Sequence, residues 1–552
     1  MAIPSIQSAV QVFEPGLVGL NSRKSVLSPG PYQVLVRVET VGLCFSDLKL
    51  LKQFDKHPRK SQIISGIGNE ILKEIPSYKP DLQPTVPGHE TLCTIIAAGE
   101  KVTRHRVGQR VIIQADYRWL KTDGANAAFG YNFEGALQQY IIMDERIFVD
   151  LGKNESGLIT VDEKLSDSAY ALIEPWACVE SSYITLERNA ILAGGKMLIA
   201  VDADVRIENL KQCFAQGKPA LITVHCQNGK QLKSLCNLRA AIVAVDDLEL
   251  LTNEAFDDII YFGSDAETIE LLNDKIAAGG IINIVLGGKK IEREVSIGLG
   301  RVHYSRTRWI GTAGSDPRES YKIIPQTGEI RKADKIFIAG AAGPMGQMHT
   351  IRLLCSDVED VSITAADIDD VRLGALRAKV KTDKPICIIN SAKHPVTGKF
   401  SYFVILAPVG ALIAQAINDS SEGALINLFA GIPASIRQEM DLNRYIENKC
   451  FIFGSSGSRI SDMKIVLDKA LAGKLNIDLC VDAVSGMAGA IDGISAVENR
   501  TMAGKIVVYP QMEKLPLIKL SDMKGKYPRV ADKLNNGLWT KEAEQELLDS
   551  VS

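Results

Sequence analysis

The apolar and polar positions of the chain fall into two regimes. Residues 34–41, VLVRVETV, alternate with the period of a half-buried strand. Residues 91–113, TLCTIIAAGEKVTRHRVGQRVII, carry further apolar runs broken at the turn residues Gly99 and Gly108, and together these predict a strand-rich barrel in the front third. From about residue 196 the texture changes to strand-length apolar runs separated by helical stretches, the pattern of a parallel α/β sheet. Near the end, KIVLDKALAGKLNI reads as an amphipathic helix, and KGKYPRVADKLNNGLWTKEAEQELLDS as a helical tail to which no chemistry is assigned.

The α/β pattern is written twice. Lys196-Met-Leu-Ile-Ala aligns with Lys335-Ile-Phe-Ile-Ala, GGIINIVLGG at 279–288 aligns without gaps with GALINLFAGI at 423–432, and WIGTAGS at 309–315 parallels FIFGSSGS at 451–458. Three matches in the same order predict two Rossmann-like units in tandem. The expected fold class is therefore α/β, with a β-rich front domain followed by two Rossmann-like domains. The expected boundaries are 1–190 for the front domain, completed by about 482–552, then 191–330 and 331–481.

The copies differ at the first turn. In the back copy Gly340, Gly343, Pro344, Met345 and Gly346 follow a strand and open a helix, so that a backbone free of side chains can approach a pyrophosphate at the positive end of that helix. Asp367 ends the next strand, where a carboxylate accepts ribose hydroxyls and repels a 2′-phosphate, favouring NAD over NADP. Asp369 and Asp370 are read as helix-capping residues as readily as ligand contacts, and His349 as structural. In the front copy the aligned turn is VDADVRI, residues 201–207, without glycine and with two carboxylates. This copy is expected to serve as scaffold packed against the other, as an internal pseudo-dimer.

At 552 residues the chain has room for roughly three or four domains. A net charge of −3, from 63 basic and 66 acidic residues, argues against a nucleic-acid footprint or a polybasic membrane surface. Ten cysteines without a CxxC pair suit reduced thiols. With no charged leader and no apolar run near the roughly 18 residues of a membrane span, the expectation is a cytoplasmic protein acting on a small molecule.

Candidate chemistry lies in the front third. Cys44 follows a strand end in GLCFSD, His89 stands in PGHE, and Glu174 precedes Pro175 in LIEPWACVESSY. A thiolate, an imidazole and a carboxylate suit zinc and leave a fourth position open. With VGQRV and GALQQY, these stretches resemble the medium-chain zinc-dependent alcohol and polyol dehydrogenases, of the sorbitol or sorbose-phosphate type, over most of residues 30–190. The resemblance resumes at AVSGMAGAIDGISAVENRTMAGKIVVYP.

The resemblance implies a GroES-like catalytic domain, one catalytic Zn2+ held by Cys44, His89 and Glu174, and Glu90 as a neighbouring or exchanging ligand. It makes Ser46 the hydroxyl that relays the substrate proton. A structural zinc is not expected, because the region after VGQRV carries no cysteine where many relatives have four. The segment after Cys44 is longer than in the family, and its Lys52, Lys56, Arg59 and Lys60 read either as a solvated basic loop or as a contact for an anionic substrate.

The implied reaction is hydride transfer between NAD(H) and a secondary alcohol or ketone: a polyol, a sugar or a sugar phosphate. A second reading is a noncatalytic NAD-binding sensor or assembly subunit on a dehydrogenase scaffold. Paired nucleotide domains, by which the family commonly dimerises, are compatible with a homo-oligomer.

Overall fold

The computed structural model describes residues 3–226, 228, 231 and 241–551. The alternating run becomes the strand Gln33–Gly42, whose buried side chains line a core shared with Leu43, Val86 and Ile506. It is central to an eight-stranded sheet. On one side lie Glu90–Ala98, Arg110–Ile113 and Leu158–Val161, and Tyr140–Asp144 also pairs with it. On the other side lie strands from the far end of the chain: Lys505–Val508, Val481–Ser485 and Ile518–Lys519. Val508 pairs with Val41 and Val507 with Gly42, so the chain leaves this sheet and returns to complete it.

Between departure and return stand two six-stranded parallel sheets, matching the expected pair of Rossmann-like units. The front sheet comprises β1 (Lys196–Val201), β2 (Leu221–Cys226), β3 (Ala241–Ala244), β4 (Phe256–Phe262), β5 (Ile276–Val285) and β6 (Arg308–Thr312), in spatial order 3-2-1-4-5-6. The back sheet comprises β7 (Lys335–Ala339), β8 (Ser362–Asp367), β9 (Ile386–Asn390), β10 (Phe400–Ile405), β11 (Ser420–Leu428) and β12 (Phe451–Phe453), in order 9-8-7-10-11-12. This order reverses beside the first strand of each unit, where open α/β sheets bind ligands.

The aligned repeats are β5 and β11. Gly279 and Gly423 hold the same left-handed conformation within them, φ 74° and 73°. Each N–H donates to a carbonyl 2.7 Å away just past the following helix, Ser305 and Asn448 respectively. The copies part company after the first strand. β7 feeds an eleven-residue helix, Pro344–Leu354, whereas β1 leads through a long turn into a four-residue helix, Leu210–Cys213.

The two units touch through equivalent parts, as the pseudo-dimer expectation requires. The strand Val295–Gly298, between β5 and β6, pairs antiparallel with Arg437–Met440, between β11 and β12, in the register Val295 to Met440 and Gly298 to Arg437. Trp309, Val302 and Leu286 of one copy share a core with Ile432, Tyr445 and Ile452 of the other, and Tyr445 donates its hydroxyl to Trp309 O at 2.7 Å. β6 and β12 adjoin at the seam.

Close approach there depends on Gly300, where a Cβ would lie 2.3 Å from Pro433 O. Gly300→Val is expected to destabilise the protein by about 1–3 kcal/mol through overpacking, read as a lower urea midpoint. An unchanged midpoint would mean that the units separate at this contact in solution.

The C-terminal tail is packed. Trp539 is 1% exposed and donates to Ser168 Oγ at 3.1 Å, while Glu544 accepts from Ser168 N at 2.8 Å and Tyr509 OH at 2.7 Å. Glu544 thereby caps the short helix Asp167–Ala171, which leads directly into the helix Ile173–Ile184 that carries Glu174. Among the described residues, no helix is long and apolar enough to cross a membrane.

Candidate functional site

The glycine turn of the back copy has the geometry its sequence predicts. Gly340 takes φ 84°, and its N–H and that of Ala341 donate to Ala366 O. Gly343 is the N-cap of the helix Pro344–Leu354, Pro344 holds its first position, and Met345 packs part-buried against the core below. At Gly346 a Cβ would lie 2.1 Å from Gly340 O, so only glycine lets the helix sit on the turn.

Asp367 ends β8 with its carboxylate drawn to the turn: Oδ2 accepts from Ala342 N at 3.0 Å and Oδ1 from Ile368 N at 2.8 Å. Beside it Ile368 and Val371 are 73% and 83% exposed, an apolar surface that the sequence did not single out. Asp369 caps the helix Asp370–Lys379 by accepting from Val371 N and Arg372 N, and Asp370 pairs with Lys393 and Asn390. His349 is fully buried, its Nδ1 2.8 Å from Tyr183 OH and its ring 4.5 Å from that of Phe429. Burial pushes this imidazole down to about 3, so it stays neutral, in keeping with a structural role.

The corresponding turn of the front copy is closed by its own side chain. Asp202 accepts from Tyr261 OH at 2.8 Å and Ser264 N at 3.2 Å, and fills the space above Gly263. Asp204 pairs with Lys289. A pyrophosphate would meet carboxylates and no long helix.

In the front domain the structure brings Cys44, His89 and Glu90 together, with one donor atom of each within 4.8 Å of the others. Cys44 is the N-cap of the helix Phe45–Gln53, directly after the strand Gln33–Gly42. His89 follows Gly88, which holds φ 97°, and Glu90 begins the paired strand. Gly42 is required opposite: a Cβ there would lie 2.2 Å from Glu90 Oε2.

Asp47 organises the group. Its Oδ2 accepts from Cys44 N at 3.0 Å, and its Oδ1 accepts from Gly88 N at 3.1 Å and faces His89 Nδ1 at 3.1 Å. Engaging Nδ1 leaves Nε2 for a ligand, as a carboxylate behind a metal-binding histidine does. Burial opposes a charged imidazole, but Asp47 and Cys44 outweigh it and hold His89 well above its ordinary value. Glu90 is fully buried, its Oε1 2.6 Å from Lys505 Nζ, while its Oε2 has no hydrogen-bond partner. A buried oxygen with an open lone pair, beside a thiol and an oriented imidazole, fits a divalent cation.

Glu174 lies on the neighbouring helix, and its Oε1 accepts from Cys178 Sγ at 3.4 Å. Burial raises its carboxyl above the usual range against the opposing pull of His89. Ser46 Oγ is 3.6 Å from Cys44 Sγ. Tyr131, 4% exposed, roofs the group with its ring 6.1 Å from that of His89.

The basic segment divides. Lys60 is fully buried and donates to the carbonyls of Lys79, Asp81 and Gln83, so it staples the loop that precedes PGHE. Lys52 pairs with Glu498 on the surface and Lys56 is exposed. Arg59 turns inward, 5.6 Å over the Tyr131 ring and 3.6 Å from Asp116. Sequence reasoning missed Asp47, Lys505 and Tyr131. Asp47 was within sight, three residues after Cys44, where a carboxylate reaches back to the helix N-terminus.

The chain is similar to known proteins over parts of its length. Residues 30–153 match the model of the alcohol dehydrogenase GroES-like domain. The chain is 23% identical over 281 residues to the uncharacterized protein YggP of Escherichia coli K12, a match covering 45% of this chain and 64% of that protein. It is 33% identical over 114 residues to sorbitol dehydrogenase of Gallus gallus, covering 21% of this chain and 26% of that one. The chain thus spans less than two thirds of either relative.

Among solved structures, acetophenone reductase from Geotrichum candidum in complex with NAD aligns at a TM-score of 0.50 and 12% identity, covering 92% of this chain and 98% of that one. AibC aligns at 0.50 and 13%, covering 91% and 95%. The fold is that of the medium-chain dehydrogenases, a GroES-like domain with Rossmann-type sheets, and the resemblance read from GLCFSD and PGHE holds at the level of domain and fold.

Proposed function

We propose that the chain is a zinc-dependent oxidoreductase that interconverts a secondary alcohol and a ketone with NAD(H), on a polyol, sugar or sugar phosphate. One observation carries this reading: the buried group of Cys44, His89 and Glu90, in which Asp47 occupies His89 Nδ1 and Glu90 Oε2 is left without a partner. Cys44, His89 and Glu174 would hold the ion, with Glu90 as neighbouring or exchanging ligand, and bound zinc would supply a Lewis acid that lowers the pKa of the alcohol oxygen.

The remaining steps belong to the protein. Ser46 takes the hydroxyl proton and passes it outward along the helix surface. Lys505 pairs with Glu90 and fixes the direction of its carboxylate. Tyr131 closes the group from water. The backbone from Gly340 through Gly343, Pro344, Met345 and Gly346 would receive the pyrophosphate of NAD, Asp367 its ribose, and the apolar face of Ile368 its adenine.

In this reading residues 1–190 and about 482–552 form the catalytic domain, 331–481 the NAD domain, and 191–330 a scaffold copy. The test is a metal assay coupled to an NAD-dependent screen of polyols, sugars and their phosphates. One zinc per chain and NADH production from at least one substrate are expected. NADH binding without zinc or turnover would favour the noncatalytic sensor.

A further inference from the structure

The front copy lacks glycine at its first turn, yet it reaches the front domain. The helix Leu299–Tyr304 and the residues after it lie at the seam, where His303 Nδ1 meets Leu428 O at 3.2 Å. Tyr304 OH accepts from Lys49 Nζ at 2.8 Å, on the helix that carries Ser46. Two residues on, Arg306 takes a left-handed backbone, φ 54°, which a non-glycine residue adopts only under strain.

Arg306 is half-buried, and among the described residues no carboxylate lies within ion-pair distance of it. Glu187, whose charge acts on it, is engaged by Arg308 at 2.7 and 2.9 Å. The loop Gly454–Arg459, after β12, gathers further arginines: Arg308 donates to Gly454 O at 3.0 Å, and Arg118 of the front domain to Ser456 O and Ser458 O at 3.2 Å each. Arg459 ends the loop, exposed and without an ion pair among the described residues. Burial, with Arg308, Arg459 and Arg118 nearby, lowers the Arg306 guanidinium below its ordinary value.

On the same loop Ser455 Oγ is buried without a hydrogen-bond partner. Asp116 alone serves Arg118 at 3.2 Å and Arg59 at 3.6 Å, so positive charge is in surplus.

We propose that Arg306, Arg118 and Arg459 form a binding site for a dianionic phosphoryl group of the substrate, with the front copy contributing Arg306. Planar guanidiniums suit phosphate oxygens, and two unpaired ones match the charge of a phosphate monoester. The site adjoins the group of Cys44, His89 and Glu90: Arg118 and Arg59 share Asp116, and Arg59 lies over the Tyr131 ring that roofs that group. The proposal rests on the dehydrogenase reading for the word substrate, but its test requires no turnover.

The full chain is titrated calorimetrically with inorganic phosphate at constant ionic strength, with acetate in parallel. Saturable phosphate binding is expected, weakened about tenfold or more by Arg306→Ala and partly restored by Arg306→Lys. Lys322→Gln, which removes a surface cation paired with Glu319, is expected to leave it intact. Arg459→Ala, at an exposed position, supplies a second variant, with a smaller loss. Phosphate binding undiminished in both alanine variants, no saturable binding above chloride, or acetate bound as tightly as phosphate would overturn the proposal. Absence of zinc or NADH binding would instead strike the dehydrogenase reading alone.

Discussion

His89→Ala is expected to lose its zinc and to lower kcat/KM by at least about a thousandfold, equivalent to about 4 kcal/mol of transition-state stabilisation. The imidazole is the one nitrogen donor of the group, and Asp47 commits a carboxylate oxygen to holding its Nδ1. Alanine leaves that oxygen with Gly88 N alone and opens the buried group to water. Elemental analysis of the purified variant gives the metal content, and NADH absorbance with the best substrate of the screen gives the rate. Asp47→Asn should show a smaller form of the same defect, about 10–100-fold in metal affinity, because the orienting contact weakens while all donors remain. One zinc per chain with wild-type turnover in His89→Ala would remove this residue from the site.

Gly346→Val is expected to weaken NADH binding by more than about a hundredfold while leaving the zinc content unchanged. Even a methyl group at this position would lie 2.1 Å from Gly340 O and 2.5 Å from the Ala341 carbonyl carbon. The helix Pro344–Leu354 would have to retreat from the turn, taking with it the N–H groups of its first turn, which on the proposed reading would receive the pyrophosphate. NADH fluorescence titration reads the affinity, and a melting curve shows whether the rest of the domain is intact. The equivalent experiment on the front copy has the opposite expectation. Asp202→Ala should leave NADH affinity unchanged, since that carboxylate is bound to Tyr261 and Ser264 within its own turn. Tight NADH binding by Gly346→Val would place the dinucleotide elsewhere.

The architecture was legible wherever it depended on local pattern. VLVRVETV, the aligned runs GGIINIVLGG and GALINLFAGI, and the glycines at 340–346 report period, repetition and backbone freedom, which neighbouring residues settle between themselves. The site was legible only where a short flank identified the donor. Lys505 meets Glu90 across 415 positions of sequence, and nothing near either residue announces the pair. Lys60 was grouped with solvated lysines because charge ordinarily means exposure; three carbonyls arranged by a distant loop reverse that rule. Arg59 and Lys60 are adjacent, yet one faces the roof of the donor group and the other a carbonyl cage, a division set by the 3-10 turn Pro58–Lys60.

The antiparallel pairing of Val295–Gly298 with Arg437–Met440 joins surfaces that separate molecules would otherwise have to find by diffusion. Tethered in one chain, they meet at a fixed effective concentration, so dilution does not part them. The pairing also frees the two copies from having to stay identical. In a symmetric dimer a change at the first turn would fall on both subunits at once, whereas here Asp204 stands opposite Gly343 in one copy and leaves the other turn whole.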